Sequence, residues 1–175
     1  MLFRSLETGG LKWPLIALRY LAPMSRELLN QYAEASREFQ NLVSGIASGD
    51  LLRAPTAGEW SAGFVVHHMA DAEVQFATRF MNALAEIKPS IVPFNEEVYP
   101  DSLYYAKRSV KISHDTCSAI GAFIISILEN ISEQDWGRIS LHPDLGEMSI
   151  SDLLAKVVSH YQAHIGQLKE IVASL

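Results

Sequence analysis

The chain has 175 residues, enough for one domain with a sizeable core, and 49% apolar with 19% charged residues is ordinary globular make-up. A net charge of −6 without any Lys/Arg cluster argues against a nucleic-acid surface. The lone cysteine, Cys117, excludes an intrachain disulfide and suits a reducing, cytoplasmic setting; no run of about 18 apolar residues offers a membrane span.

Residues 1–23 stand apart. Trp13 to Leu21 is apolar but interrupted by Arg19 and closed by Pro23, and it lacks the small-x-small cleavage site of a signal peptide. We expect an N-terminal extension outside the core fold there, and one domain over 24–175. A first helix is predicted over 25–47, capped by Ser25, with Leu28, Tyr32, Ala35, Phe39, Leu42, Val43 and Ile46 at helical spacing and Gly49 ending it. Ser61 should cap a second helix that ends near Ile87, with Val65, Met69, Ala72, Phe76, Phe80 and Ala83 as its apolar stripe. Gly63 in its first turn should weaken it.

Residues 88–100 hold three prolines and no periodicity, a long connection of the kind that often covers a site. A short helix is expected after Asp101. A longer one is expected over 110–130 with Val110, Cys117, Ile120, Phe123, Ile124, Ile127 and Leu128 inward, and a loop over 131–148. The last helix should start at Ser149, where Ser149-x-x-Asp152 resembles a capping box, and run to about Ala173. Four long helices without strand signals make an all-α four-helix bundle, and the long second connection leaves room for a crossover.

His160 and His164 are four apart on that last helix, so both imidazoles lie on one face, one turn apart. Such a pair is the simplest way for a helix to offer two ligands to a transition metal. Each residue advances about 100° around the axis. On that count His164 shares a sector with Val157 and Leu168, and His160 borders it. On the second helix His68 falls beside Val65 and Ala72, whereas His67 falls nearly opposite and is expected at the surface. His68 is therefore the third ligand by phase. Asp71 and Glu73 could orient an imidazole, Asp71 less so because it points partly away. Bland roles suffice for His114, His142 and Cys117, and Trp60 is expected to be a packing anchor. Arg79 shares the His68 side and could meet an anionic substrate, but a salt bridge is the expectation.

These residues carry a resemblance. Glu59-Trp60-Ser61 followed by His68-Met69-Ala70-Asp71-Ala72-Glu73, then His142-Pro143-x-Leu145-Gly146-x-Met148-Ser149, then His160-x-x-x-His164-x-x-Gln167 are similar in order and spacing to motifs of the DinB superfamily of bacterial metal-binding bundles. The resemblance covers roughly residues 25–173. It implies a DinB-type up-down-down-up bundle, a homodimer, and three histidines on a divalent metal, which map to His68, His160 and His164. Some members transfer low-molecular-weight thiols such as bacillithiol or mycothiol to electrophiles, and others are taken to be metal-dependent hydrolases. Phe64 departs from the family's capping-box Glu, and Met69 from its usual Leu.

Three neutral imidazoles leave a metal's charge uncompensated, which favours an anion in the open position: a thiolate for S-transfer or a hydroxide for hydrolysis. Zinc, nickel, copper and iron all suit imidazole. The leading expectation is thiol transfer to a small electrophile. The rivals are hydrolysis of a small molecule and a non-catalytic stress or scaffold protein whose metal is structural.

Overall fold

The computed structural model describes residues 15–175, with side chains from Met24 onward. The expected extension over 1–23 lies for the most part outside the described residues. Four long helices form the body: α1 (Leu15–Ser44), α2 (Ala62–Ala85), α4 (Val110–Leu128) and α5 (Ile150–Ser174), with a one-turn α3 (Tyr99–Ser102) in the long connection. Contacts between them fix the topology. Ser25 in the first half of α1 bonds Ser151 at the start of α5 (Oγ to Oγ, 2.7 Å), and Lys169 reaches Glu38 further along, so α1 and α5 are parallel. His67 meets Ser113 and Glu73 lies beside Gly121, so α2 and α4 are parallel. His68 meets His164 while Phe76 meets His160, so α2 and α5 are antiparallel. The bundle is up-down-down-up, and the α2–α4 connection is the crossover.

Capping follows the sequence. The Ser61 and Ser109 hydroxyls accept from the backbone N–H groups of Phe64 and Ile112, three residues on. Ser149 and Asp152 form a complete capping box: Asp152 N–H donates to Ser149 Oγ at 3.1 Å and Ser149 N–H to Asp152 Oδ2 at 2.8 Å. Phe64, at the position of the family's capping Glu, packs edge-on against Tyr105. At the other end of α2, Arg138 donates to the carbonyls of Ala83 and Glu86, two groups that a helix end leaves without partners.

Four expectations need correction. Helix α1 begins at Leu15 and continues through Pro23, so Ser25 is not its cap but a buried interior residue tied to α5. Helix α3 starts before Asp101. Phe123 is exposed, because the buried stripe of α4 is narrow and runs through Ser113, Cys117, Gly121, Ile124 and Leu128. The stretch 131–148 is not all loop. Strands β1 (Ile139–His142) and β2 (Gly146–Ser149) form a hairpin, with Gly146 at φ +74°, a conformation that costs glycine little. The hairpin also anchors the crossover: Leu141 N–H donates to Pro89 O and Ile91 N–H to Leu141 O, both at 2.8 Å. Strands this short carry little periodicity, which is why the sequence shows none.

Around the helix interfaces the core is aromatic and aliphatic, with Tyr32, Phe39, Phe80, Leu154 and Tyr161 buried. Among the described residues one carboxylate, Glu73, is buried with them.

Candidate metal centre

Helices α2 and α5 run antiparallel with apolar stripes facing each other, and the histidines at the stripe edges meet where the helices touch. His68 Nε2 lies 2.9 Å from His160 Nε2, and His164 Nε2 lies 3.0 Å from His160 Nε2. The three form a group able to hold a metal ion. His68 is buried, and His160 and His164 are partly so.

Burial lowers all three histidine pKa values below the usual imidazole range. His68 falls to about 4 and His160 to about 3, each lowered further by the charge of a neighbouring histidine. His164 falls as well, opposed by its bond to Gln167 and by Glu96. The cluster is therefore neutral near pH 7, the ligand form of imidazole.

The donor set suits a divalent transition metal. His164 Nδ1 lies 2.8 Å from Gln167 Oε1. An amide oxygen only accepts, so Nδ1 carries the proton and Nε2 presents its lone pair to the cluster. With the Nε2 atoms of His68 and His160 it makes a three-nitrogen group of the kind that borderline divalent ions favour, while the Nδ1 atoms of His68 and His160 are buried without a protein partner among the described residues.

Two clefts flank the histidines. One, of about 390 Å³, is lined by Phe76, Arg79, Phe94, His142, Lys156 and His160. The other, of about 590 Å³, is bounded by Pro55, Glu59, Trp60, His164, Gln167 and Glu170. Trp60 does pack, and what it packs on is His68, ring centroids 5.3 Å apart.

His67 is not at the surface. It is fully buried, its Nδ1 2.7 Å from Ser113 Oγ, and burial with the nearby Arg108 charge lowers its pKa to about 4. A bundle helix has two neighbours: α2 turns His68 to α5 and His67, about 100° away, to α4. Asp71 also serves the α4 side, accepting from Tyr105 at 2.7 Å and Arg108 at 2.8 Å rather than orienting a ligand. Glu73 accepts from the Tyr32 hydroxyl in the core, and burial pushes its pKa up to about 7. Cys117 is buried beside the Tyr161 hydroxyl, and burial pushes its thiol up to about 12, which makes it unreactive.

Sequence reasoning missed Glu96. Its Oε2 lies 3.7 Å from His68 Nε2, on a side chain 58% exposed. It sits in the aperiodic crossover, where no phase argument reaches, so the long connection itself was the only signal.

A family model described as the DinB superfamily matches residues 31–168. A Bacillus cereus protein named "Putative metal-dependent hydrolase" is 28% identical over 172 residues, covering 93% of this chain and 97% of that one. Among solved structures, YfiT of Bacillus subtilis, a four-helix bundle of unusual topology, has a TM-score of 0.75 at 19% identity, covering 97% of this chain and 91% of that one. A mycothiol-dependent maleylpyruvate isomerase has a TM-score of 0.69 at 13% identity, covering 82% of this chain and 60% of that one.

Proposed function

The chain belongs to the DinB superfamily, and from that premise we propose that it is a metal-dependent transferase moving a low-molecular-weight thiol to a small electrophile, with His68, His160 and His164 as the metal ligands. The observation that carries this reading is the pair of clefts, one reaching His160 and the other His164. Two separate approaches suit two small molecules meeting at one centre, whereas hydrolysis needs room for one substrate and water. The fold shared with a mycothiol-dependent isomerase supports it.

A bound zinc, nickel, copper or iron ion would supply Lewis acidity that favours the anionic form of a thiol. The chain's own residues supply the rest. Gln167 holds the His164 tautomer. Trp60 packs against the His68 ring and so restricts its orientation. The thiol sulfur bonds to the electrophilic carbon, the thiol proton leaves through Glu96 or solvent, and the leaving group departs with its bonding pair. Cys117 takes no part.

Hydrolysis is the second reading, favoured by Glu96, a carboxylate near the cluster that could take a proton from water, and by the name of the Bacillus cereus relative. One assay separates them. Metal-loaded protein receives a chromogenic electrophile with and without bacillithiol, mycothiol or glutathione. Product that needs a thiol and disappears in His160→Ala supports transfer. Thiol-independent cleavage means hydrolysis, and no turnover with tightly held metal means a metal-stabilised scaffold.

We also propose a homodimer in the cytoplasm. Val74 and Met81 on α2 and Ile112 and Phe123 on α4 expose apolar surface that a second copy could cover. No helix among the described residues is long and apolar enough to cross a membrane. Sedimentation as a monomer at micromolar concentration would contradict the dimer.

A further inference from the structure

We propose that the cleft beside His160 is a subsite for a small organic carboxylate, held by Arg79, Lys156 and His142 against an aromatic wall. The inference rests on the function proposed above, whose electrophile this cleft would seat.

Arg79 was expected in a salt bridge. Among the described residues no carboxylate pairs with it. Its guanidinium carbon instead lies 5.3 Å from the Phe76 ring centroid and 5.6 Å from that of Phe94. One terminal nitrogen donates to Val92 O at 3.2 Å, and the buried Nε has no partner. The group is charged, held in place between two rings, and left with donors to spare. A guanidinium so fixed loses little freedom when it binds a planar acid edge to edge.

Two further groups face the same space. Lys156, one turn before His160 on α5, is exposed, makes no ion pair among the described residues, and its charge is felt at His160. His142 lies at the end of β1, where its Nδ1 accepts from the backbone N–H groups of Asp144 at 3.1 Å and Leu145 at 3.3 Å. The ring proton must then sit on Nε2, so this cleft-lining ring offers a donor and no acceptor. The hairpin turn has set the tautomer.

Charge and shape choose the ligand. Two cations and a donor surround a volume of about 390 Å³, near the lower end of small-molecule sites. The acid in the lining, Glu96, sits toward His68. It would repel the second charge of a phosphate more than the single charge of a carboxylate. Phe76 and Phe94 favour a flat or conjugated acid. The carboxylate would lie at the Arg79 end, leaving the rest of the molecule to reach His160.

The test uses the full chain, metal-free and zinc-loaded, with benzoate as probe, benzamide as its uncharged counterpart, and inorganic phosphate. Binding is read by ligand-observed proton NMR titration. Benzoate should bind more tightly than phosphate, and benzamide should bind weaker by about tenfold or more. Arg79→Gln and Lys156→Gln should each weaken benzoate by about tenfold, while zinc affinity by chelator competition stays within roughly threefold. Equal binding of benzoate and benzamide, tighter binding of phosphate, or unchanged benzoate affinity in both variants would overturn the proposal. Should Arg79→Gln fail to fold by circular dichroism, the exposed Lys156→Gln decides. Failure to bind zinc would sink the metal reading instead, and the metal-free titration would still decide this one.

Discussion

Under the proposed assignment, two adjacent histidines divide into ligand and scaffold. His68 offers Nε2 to the cluster, whereas His67 ties α2 to Ser113 on α4. His68→Ala should abolish tight zinc binding in a chelator competition. His67→Ala should keep zinc within a few fold yet lower stability by about 1–3 kcal/mol, the cost of losing a buried imidazole and its bond to Ser113, whose hydroxyl keeps only the Arg108 contact. The reverse pattern would mean that the ligand assignment is wrong. Gln167→Ala should weaken zinc by roughly 10–100-fold, because the His164 tautomer would be free to change. Glu73 makes a different prediction. Its folded pKa, near 7, lies above the ordinary 4.5, so between those values the folded chain keeps a proton that the unfolded chain has lost. Glu73's contribution to stability is then undiminished below about pH 4.5 and falls as pH rises from there through 7. The difference between wild type and Glu73→Gln should change by on the order of 3 kcal/mol across that window. Taking the difference cancels the opposite slope of the histidines, and parallel curves for the two proteins would refute the assignment.

Helix α2 is the element on which the others converge, and its first turn shows how. Gly63 reads in sequence as a weak point. In the fold its N–H donates to Leu51 O, and a Cβ there would meet that oxygen at 2.9 Å and Val110 Cγ2 at 3.0 Å. Close approach of α4 and of the preceding loop, rather than helix propensity, requires glycine at this position. Gly63→Ala should therefore destabilise by about 1–3 kcal/mol in urea unfolding, despite alanine's better propensity. A stabilised variant would show that the loop can move away. The crossover behaves as an element too, since the Pro89 and Ile91 backbones bond Leu141 and so carry Glu96 and Phe94 to the mouth of the cleft.

For the whole molecule, the three imidazoles join α2 to α5, so metal that binds only the folded chain stabilises it by mass action. At a free metal concentration of about 100 times Kd this amounts to roughly 2.7 kcal/mol, or some 5–10 °C in Tm for a domain of this size. Chelation should lower Tm by that amount, and His164→Ala should remove the difference. Identical melting curves for loaded, chelated and variant protein would break the link between site and fold.

Helical periodicity placed the bodies of the four long helices and the approximate phase of His68, His160 and His164, and residue type placed the Ser61 and Ser149 caps, because each depends on neighbours within one or two turns. Three weak motifs in the right order were enough to suggest the family and, through it, the up-down-down-up order. What lay beyond local rules was decided by packing. Phase around one axis could not show that α2 has a second partner, so His67 was sent to solvent when α4 buries it. Pro23 looked like a boundary, yet α1 runs through it, and Ser25 joins α5 across 126 residues of sequence. Glu96 reaches His68, and Arg79 lies between Phe76 and Phe94, only because the hairpin pins an aperiodic crossover against α2. Contacts between distant segments depend on where loops return the chain, and the local spacing of residues carries no trace of that.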